Sequence, residues 1–293
     1  MTSKIFSVDF RFVPENQAVV PVMDRGFLYG ESVYEVARTY DGSDVFLLDR
    51  HDARLRRSAG RLGIDVPFSY EELRAHVRQA LRDLAVPNAY VRVMVSGGRD
   101  EAFHLPRKLS QPATFCVFSE WGGYPQRQFD VGLSMKVSSV RRNDRRALDP
   151  DIKSGNYLNN VLAASQAVRE GFDDTIMVNL SGNLSEASNS NVFLVKNGVV
   201  STPALESGLL QGITRGLLLE ILKSRGIRHD VREIPSAELK AADEVFLTST
   251  LREVMPVTYV DNSPVGNGKI GPITRMLADL FATERRRILE STT

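Results

Sequence analysis

Residues 149–167 read DPDIKSGNYLNNVLAASQA. The stretch leaves an extended segment, VGLSMKVSSV at 131–140, and enters a helix. Tyr157, Leu158, Val161, Leu162, Ala164 and Val168 recur at helical spacing, which predicts one apolar stripe, and Gly171 is a natural stop. A single lysine, Lys153, stands just ahead of this helix. Alone it reads as a solvated charge, because lysine is seldom buried. Whether it is instead a covalent anchor depends on the rest of the chain.

Downstream, TIMVNL, NVFLV and GVVSTP read as strands, the last two joined by an Asn197-Gly198 turn. TRGLLLEILKSRG is a helix from about Thr214 to Gly226, with Thr214 as a good N-cap; DEVFLTST is a strand, and Pro272 to about Leu289 is a final helix. Upstream, SVYEVARTY and DVFLLD flank Asp41-Gly42-Ser43 as a hairpin signal. Asp49 can cap a helix through RHDARLRRSAGRL that stops at Gly63. Ser69 and Glu72 form a capping box for a second helix ending before Pro87. AYVRVMVS and ATFCVFSE are extended. The glycine-rich WGGYPQRQ (121–128) is the expected domain connection, which gives a smaller α+β domain over 1–120, a linking loop over 121–129 and a larger domain over 130–293 that carries Lys153. Strand clusters mixed with helices make an α+β fold, not a βαβ succession. No G-x-G-x-x-G or Walker sequence is present.

The bulk numbers narrow the function. Of 293 residues, 42% are hydrophobic and 25% charged, so a large core is expected. A formal charge of +1 gives no electrostatic reason to expect nucleic acid or an anionic membrane as partner, which leaves a small molecule. The one cysteine, Cys116, lies in the apolar run ATFCVF, excludes an internal disulfide and suits a reducing cytoplasm. MTSKIFSVDFRFV has no long apolar core, and no run approaches the roughly 20 residues of a membrane span. His51, His76, His104 and His229 are scattered without zinc-site spacing, so no metal is expected, and there is no G-x-S-x-G elbow.

Six blocks change the reading: DRGFLYGESVYEV, HDARL, ALDPDIKSGNYLNNVLA, LSEASNSNVF, LLQGITR and DEVFLTSTLREVMPV. In order and spacing they resemble the fold-type IV pyridoxal-phosphate enzymes, which include branched-chain aminotransferases, D-amino-acid aminotransferases and aminodeoxychorismate lyases. The resemblance implies a two-domain, D-amino-acid-aminotransferase-like fold with pyridoxal 5'-phosphate between the domains, and at least a homodimer. It implies that Lys153 forms an imine with the cofactor and later carries a proton. Glu186 then faces the pyridine nitrogen and keeps it charged. Arg54 pairs with the phosphate through its guanidinium fork. Ile213 and Thr214 offer amides and a hydroxyl at a helix start, which favours an anion. Thr250, with Ser249 as a weaker candidate, adds a phosphate-side hydroxyl; Leu210 underlies the ring; Tyr157 meets the phenolic oxygen.

Within the family, AYVRV resembles the Y-x-R strand of the branched-chain group, so Tyr90 and Arg92 are expected to receive the second carboxylate of glutamate or 2-oxoglutarate. EWGGY resembles its W-G-x-Y connection and brings Trp121 and Tyr124 to the pocket, with Tyr29, Tyr34 and Leu251 also lining it. Tyr34 and Val36 look more like D-amino-acid aminotransferases. The loop SGGRDEAFHLP, with Arg99 and His104, matches neither group, and Arg99 is a candidate carboxylate ligand. The expected reaction is ping-pong transamination between an amino acid, branched-chain and L, and 2-oxoglutarate. The alternatives are a D-amino-acid aminotransferase, an aminodeoxychorismate lyase or a non-catalytic protein that keeps the fold.

Overall fold

The computed structural model describes residues 4–99, 103, 105 and 111–292; His104 lies outside the described residues. Contacts divide the chain into two compact units: Met1–Gly122 with Ile152–Asn156 and Leu289–Thr293, and Gly123–Asp151 with Tyr157–Ile288. The lysine segment thus groups with the first unit, apart from the sequence on either side of it.

The first unit is a five-stranded antiparallel sheet covered by helices. Its elements are β1 (Lys4–Val8), β2 (Arg11–Val13), α1 (Arg25–Tyr29), β3 (Ser32–Arg38), α2 (Leu48–Arg61), α3 (Tyr70–Leu84), β4 (Ala89–Ser96) and β5 (Ala113–Glu120), with sheet order β2-β1-β5-β4-β3. Strand alternation divides β4. Ala89, Val91, Val93 and Val95 are buried in a core with Leu55 and Ala59 of α2 and Leu73, Val77 and Ala80 of α3; Tyr90, Arg92 and Met94 take the opposite face. The Ser69–Glu72 capping box forms as expected. The expected hairpin does not. β3 pairs with β4 instead, and DVFLLD is not a strand: Val45 and Phe46 are buried, Leu47 turns left-handed at φ 54°, and the chain enters α2. Leu47, not Asp49, is the N-cap residue, and Asp49 falls in the first turn.

The second unit holds α4 (Gln126–Val131), β6 (Leu133–Val137), α5 (Leu158–Arg169), β7 (Asp174–Val178), β8 (Leu184–Ala187), β9 (Asn191–Lys196), β10 (Val199–Pro203), α6 (Ile213–Ser224), β11 (His229–Arg232), β12 (Glu244–Ser249), β13 (Glu253–Val260), β14 (Ser263–Pro264) and α7 (Pro272–Thr292), whose last turn belongs to the first unit. The sheet runs β11-β10-β9-β12-β13-β6-β7-β8, and β8 also pairs with β9, closing six strands into a ring. Continuous buried runs such as IMV in β7 and VFLV in β9 fill this unit. Asn197 and Gly198, both at positive φ, make the expected turn.

Three expectations are corrected here. WGGYPQRQ is not all loop, since α4 begins at Gln126. The N-cap of α6 is Gly212, and Thr214 lies one residue inside the helix. The apolar stripe of α5 does not face the core: Leu158, Val161, Leu162 and Val168 are 49–68% exposed, while Asn160, Ala163 and Ala167 are buried. The cause is local. The Tyr157 hydroxyl and the Asn160 amide both donate to the Ser188 carbonyl, at 3.0 and 2.8 Å, which fixes the helix's rotation with its small-residue face inward.

Candidate active site

In the first unit the site residues gather around the edge strand β3. The lysine segment lies along that edge: Tyr34 N–H donates to the Lys153 carbonyl at 3.0 Å, and Gly155 N–H donates to the Ser32 carbonyl at 2.8 Å. A Cβ at Gly155 would overlap Ser32 Oγ, so the K-S-G sequence is what permits this approach. From α2, Ser58 Oγ accepts the Lys153 N–H at 3.1 Å. Alternation then aims neighbouring side chains to opposite faces. On one face, the Tyr34 ring lies 4.4 Å from Lys153 Nζ and 4.2 Å from the Arg92 guanidinium carbon, so two cations share one aromatic ring. On the other face, Glu35 is buried against α2.

Helical spacing of His51, Arg54 and Ser58 puts all three on one face of α2. Arg54 Nε and Nη2 donate to the two oxygens of Glu35, each at 2.7 Å, and His51 Nδ1 lies 2.7 Å from Glu35 Oε2. Burial raises the Glu35 carboxyl, but the Arg54 charge and hydrogen bonds from Arg54 and His51 outweigh it and lower the pKa to about 2. An ionised carboxylate only accepts, so Nδ1 carries the imidazole proton. Burial, the largest influence, lowers the pKa of His51; the Glu35 hydrogen bond and charge oppose it, and the nearby Arg54 and Lys153 charges add to the lowering. Arg54, expected at a phosphate, therefore has one edge committed to a carboxylate that the sequence reading did not single out.

In the second unit, Glu186 on β8 is held from both sides. Arg142 donates to Oε1 from Nε and Nη2 at 3.0 and 2.9 Å; Oε2 accepts the Leu210 N–H at 3.1 Å and the Asn191 amide at 3.5 Å. Asn191 also donates to the Leu210 carbonyl at 2.8 Å. It packs so closely on Gly212 that a Cβ there would overlap its Oδ1. Gly212 gives α6 no side-chain cap, so the first amides of this 12-residue helix, those of Ile213 and Thr214 among them, have no capping side chain. Tyr157 precedes α5 with its hydroxyl proton directed to Ser188. Ser249 ends β12, with Oγ accepting the Arg252 N–H at 3.2 Å, and Thr250 and Leu251 form the half-buried turn that follows.

Among the expected substrate residues, Tyr90 and Trp121 have ring centroids 6.4 Å apart, and Tyr29 lies 5.0 Å from the Arg25 guanidinium carbon. Arg99 is exposed and bridges Asp24 in backbone pairing. Tyr124 is in the second unit, 5.2 Å from the guanidinium carbon of Arg252. The sequence reading missed Glu35, His51, Ser58, Arg142 and Asn191. Glu35 lies inside a quoted block, but Arg142 is hidden in RRNDRR, where nothing in sequence separates it from Arg146, whose side chain is 90% exposed. Among the described residues there is no group of histidine, cysteine and acidic side chains placed to hold a metal, and no helix is long and apolar enough to cross a membrane. Burial pushes the Cys116 thiol up to about 12, which makes it a poor nucleophile.

The amino-transferase class IV family matches residues 32–260. A Methanocaldococcus jannaschii protein described provisionally as a branched-chain-amino-acid aminotransferase is 37% identical over 277 residues, 94% of this chain and 95% of that one. A D-alanine aminotransferase of Listeria innocua is 34% identical over 279 residues, 94% of each chain. The crystal structure of the branched-chain aminotransferase of the thermophilic archaeon Thermoproteus uzoniensis with norvaline superposes with a TM-score of 0.90 at 32% identity, covering 99% of this chain and 96% of that one. The α+β fold is that of fold type IV, and the chain belongs to the class IV aminotransferases, enzymes that depend on pyridoxal phosphate.

Proposed function

We propose that this aminotransferase moves the amino group of a branched-chain L-amino acid to 2-oxoglutarate. The observation that carries the reading is the open face of the first unit's sheet. There Arg92 stands among Tyr34, Val36, Met94 and Tyr90, all half-buried or buried, with Arg38 opposite Tyr90 at the end of the same face, and Lys153 Nζ lies over the same Tyr34 ring. A ping-pong transaminase must accept an apolar side chain and then a second carboxylate at one place. Aromatic and apolar walls with an arginine over the Tyr34 ring serve both.

The residues present fit the cofactor. Uncapped amides at α6 suit a phosphate, the close approach of Asn191 to Gly212 keeps that helix start bare, and Glu186 is an anchored carboxylate. Pyridoxal phosphate, when bound, supplies an aldehyde carbon for imine formation and a ring that accepts electrons. Lys153 Nζ would be the amine that anchors the cofactor's aldehyde carbon, and the same amine would move the proton at the substrate α-carbon. Glu186 would hold the proton on the pyridine nitrogen, with Arg142 keeping the carboxylate aimed. In the first unit Arg54 would be the phosphate's cation, and in the second the Ile213 and Thr214 amides and the Thr250 and Ser249 hydroxyls would be its donors. Tyr157 would turn its hydroxyl proton from the Ser188 carbonyl to the phenolic oxygen, and Leu210 would pack against the ring. In the first unit Arg92 and Tyr90 would receive the distal carboxylate, with Tyr29, Tyr34 and Trp121 beside them, and in the second Tyr124 and Leu251 are the substrate-side candidates.

We assign the exposed apolar face of α5 to a second copy of the chain, since Leu158, Val161, Leu162 and Val168 on one helix are more than solvent normally meets. The buried free thiol suits the reducing cytoplasm. One observation favours a D-amino-acid substrate instead: Tyr34 and Val36, on the same face as Arg92, resemble the D-amino-acid aminotransferases, and the exposed Arg99 is then the candidate carboxylate ligand. Steady-state kinetics of Arg92→Leu tests the assignment. Its KM for 2-oxoglutarate should rise at least about tenfold, the loss of one charge-assisted bond, while single-turnover reaction with L-leucine keeps its rate. Equal losses in both half-reactions would contradict the role given to Arg92.

A further inference from the structure

Arg252 is buried, yet none of the roles above uses it. Its Nη1 donates to Asp174 Oδ2 at 2.7 Å and to Ser190 Oγ at 3.3 Å, its backbone N–H donates to Ser249 Oγ at 3.2 Å, and its guanidinium carbon lies 5.2 Å from the Tyr124 ring centroid. Asp174 is equally buried and spends its other oxygen on the Thr175 N–H. Arg252 Nε is buried with no hydrogen-bond partner among the described residues.

Four segments of the second unit therefore meet at one guanidinium: the residues ahead of α4, the start of β7, the turn between β8 and β9, and the turn between β12 and β13. Two of these turns flank proposed site residues. Ser190 lies between Glu186 and Asn191, in the turn whose Ser188 carbonyl takes the bonds from Tyr157 and Asn160. Arg252 itself follows Ser249, Thr250 and Leu251. A buried ion pair is a poor source of stability, because desolvation cancels most of the attraction, but it defines geometry sharply.

We infer that Arg252, anchored by Asp174, is a positioning residue that holds Tyr124, the Thr250–Leu251 turn and the Ser188–Ser190 turn in one arrangement and so sets how the substrate side chain is accepted. The inference rests on the pocket roles proposed for Tyr124 and Leu251. The planar guanidinium is what permits the simultaneous contacts, since lysine offers a point charge without the flat face.

The test uses purified holoenzyme and, as amino donor, whichever amino acid the wild type accepts best, so that an error in the branched-chain assignment does not bear on the result. Arg252→Met combined with Asp174→Asn removes both charges together and avoids leaving one buried alone. The cofactor's absorption spectrum and the thermal melt should stay close to wild type, while KM for the donor rises about tenfold and kcat falls less than about threefold. Preference among donors of different side-chain length should flatten as well. Arg252→Lys, which keeps the charge, should show the same KM rise in smaller measure. A folded double variant, or a folded Arg252→Lys variant, with wild-type KM and unchanged donor preference would overturn the inference and leave the pair a purely structural one.

Discussion

Replacing Glu35 with glutamine changes one oxygen for an amide group and leaves the shape intact, yet the surroundings make it a severe change. All three donors that face the carboxylate, two from Arg54 and one from His51, sit at 2.7 Å, and all three side chains are buried. The amide sets a donor against donors and removes the negative charge that faces Arg54. The displacement of the Glu35 pKa from 4.5 to about 2 corresponds to ~3 kcal/mol at 1.36 kcal/mol per unit, within the range of about 3–5 kcal/mol for breaking a buried ion pair. The folded-state pKa is depressed, so the contribution is complete above pH 4.5 and is lost as pH falls towards 2. Urea denaturation of wild type and Glu35→Gln at pH 7 should differ by ~3 kcal/mol. The gap should narrow steadily below pH 4.5. A difference under about 1 kcal/mol, or one that does not change between pH 7 and pH 3, would refute the reasoning. Because Arg54 is released from one edge, affinity for pyridoxal phosphate should fall more than affinity for pyridoxal without its phosphate, measured by absorbance titration.

Other consequences are simpler to state. Gly212→Ala drives a Cβ into Asn191 Oδ1 and should weaken cofactor binding at least about tenfold in the same titration, since the bare start of α6 is disturbed; unaltered affinity would show that Asn191 yields without consequence. Leu162→Glu on the exposed face of α5 should leave the monomer folded and shift sedimentation towards the monomer, and an unchanged oligomer would remove that face from the interface. His51 is held neutral by burial while the unfolded imidazole gains a proton below about 6.5, so the folded state should lose stability as pH falls below that value. His51→Gln should reduce this loss in denaturation curves between pH 7 and pH 5.

What could be read from sequence was whatever is decided over a few residues. The Ser69–Glu72 box and the Asn197-Gly198 turn depend on neighbours and form as expected. The hairpin after β3 failed because β3 finds its partner in β4, beyond two helices, and a left-handed Leu47 starts a helix where the apolar pattern suggested a strand. Periodicity gave the apolar stripe of α5 but not its direction, which two hydrogen bonds to Ser188 decide. The family was legible because six short blocks keep their spacing. The residues that hold those blocks in place were less so. Glu35, His51 and Arg142 look like surface residues until the fold brings Arg54 and His51 against Glu35 and Arg142 against Glu186.

The central claim is most directly tested by mixing holoenzyme with single amino acids and following the absorption spectrum of the bound cofactor without any acceptor. Conversion by L-leucine and L-valine, reversed on adding 2-oxoglutarate, with no response to the D-forms, is the predicted result. Conversion only by D-alanine or D-glutamate would contradict the proposed specificity and shift attention from Arg92 to Arg99.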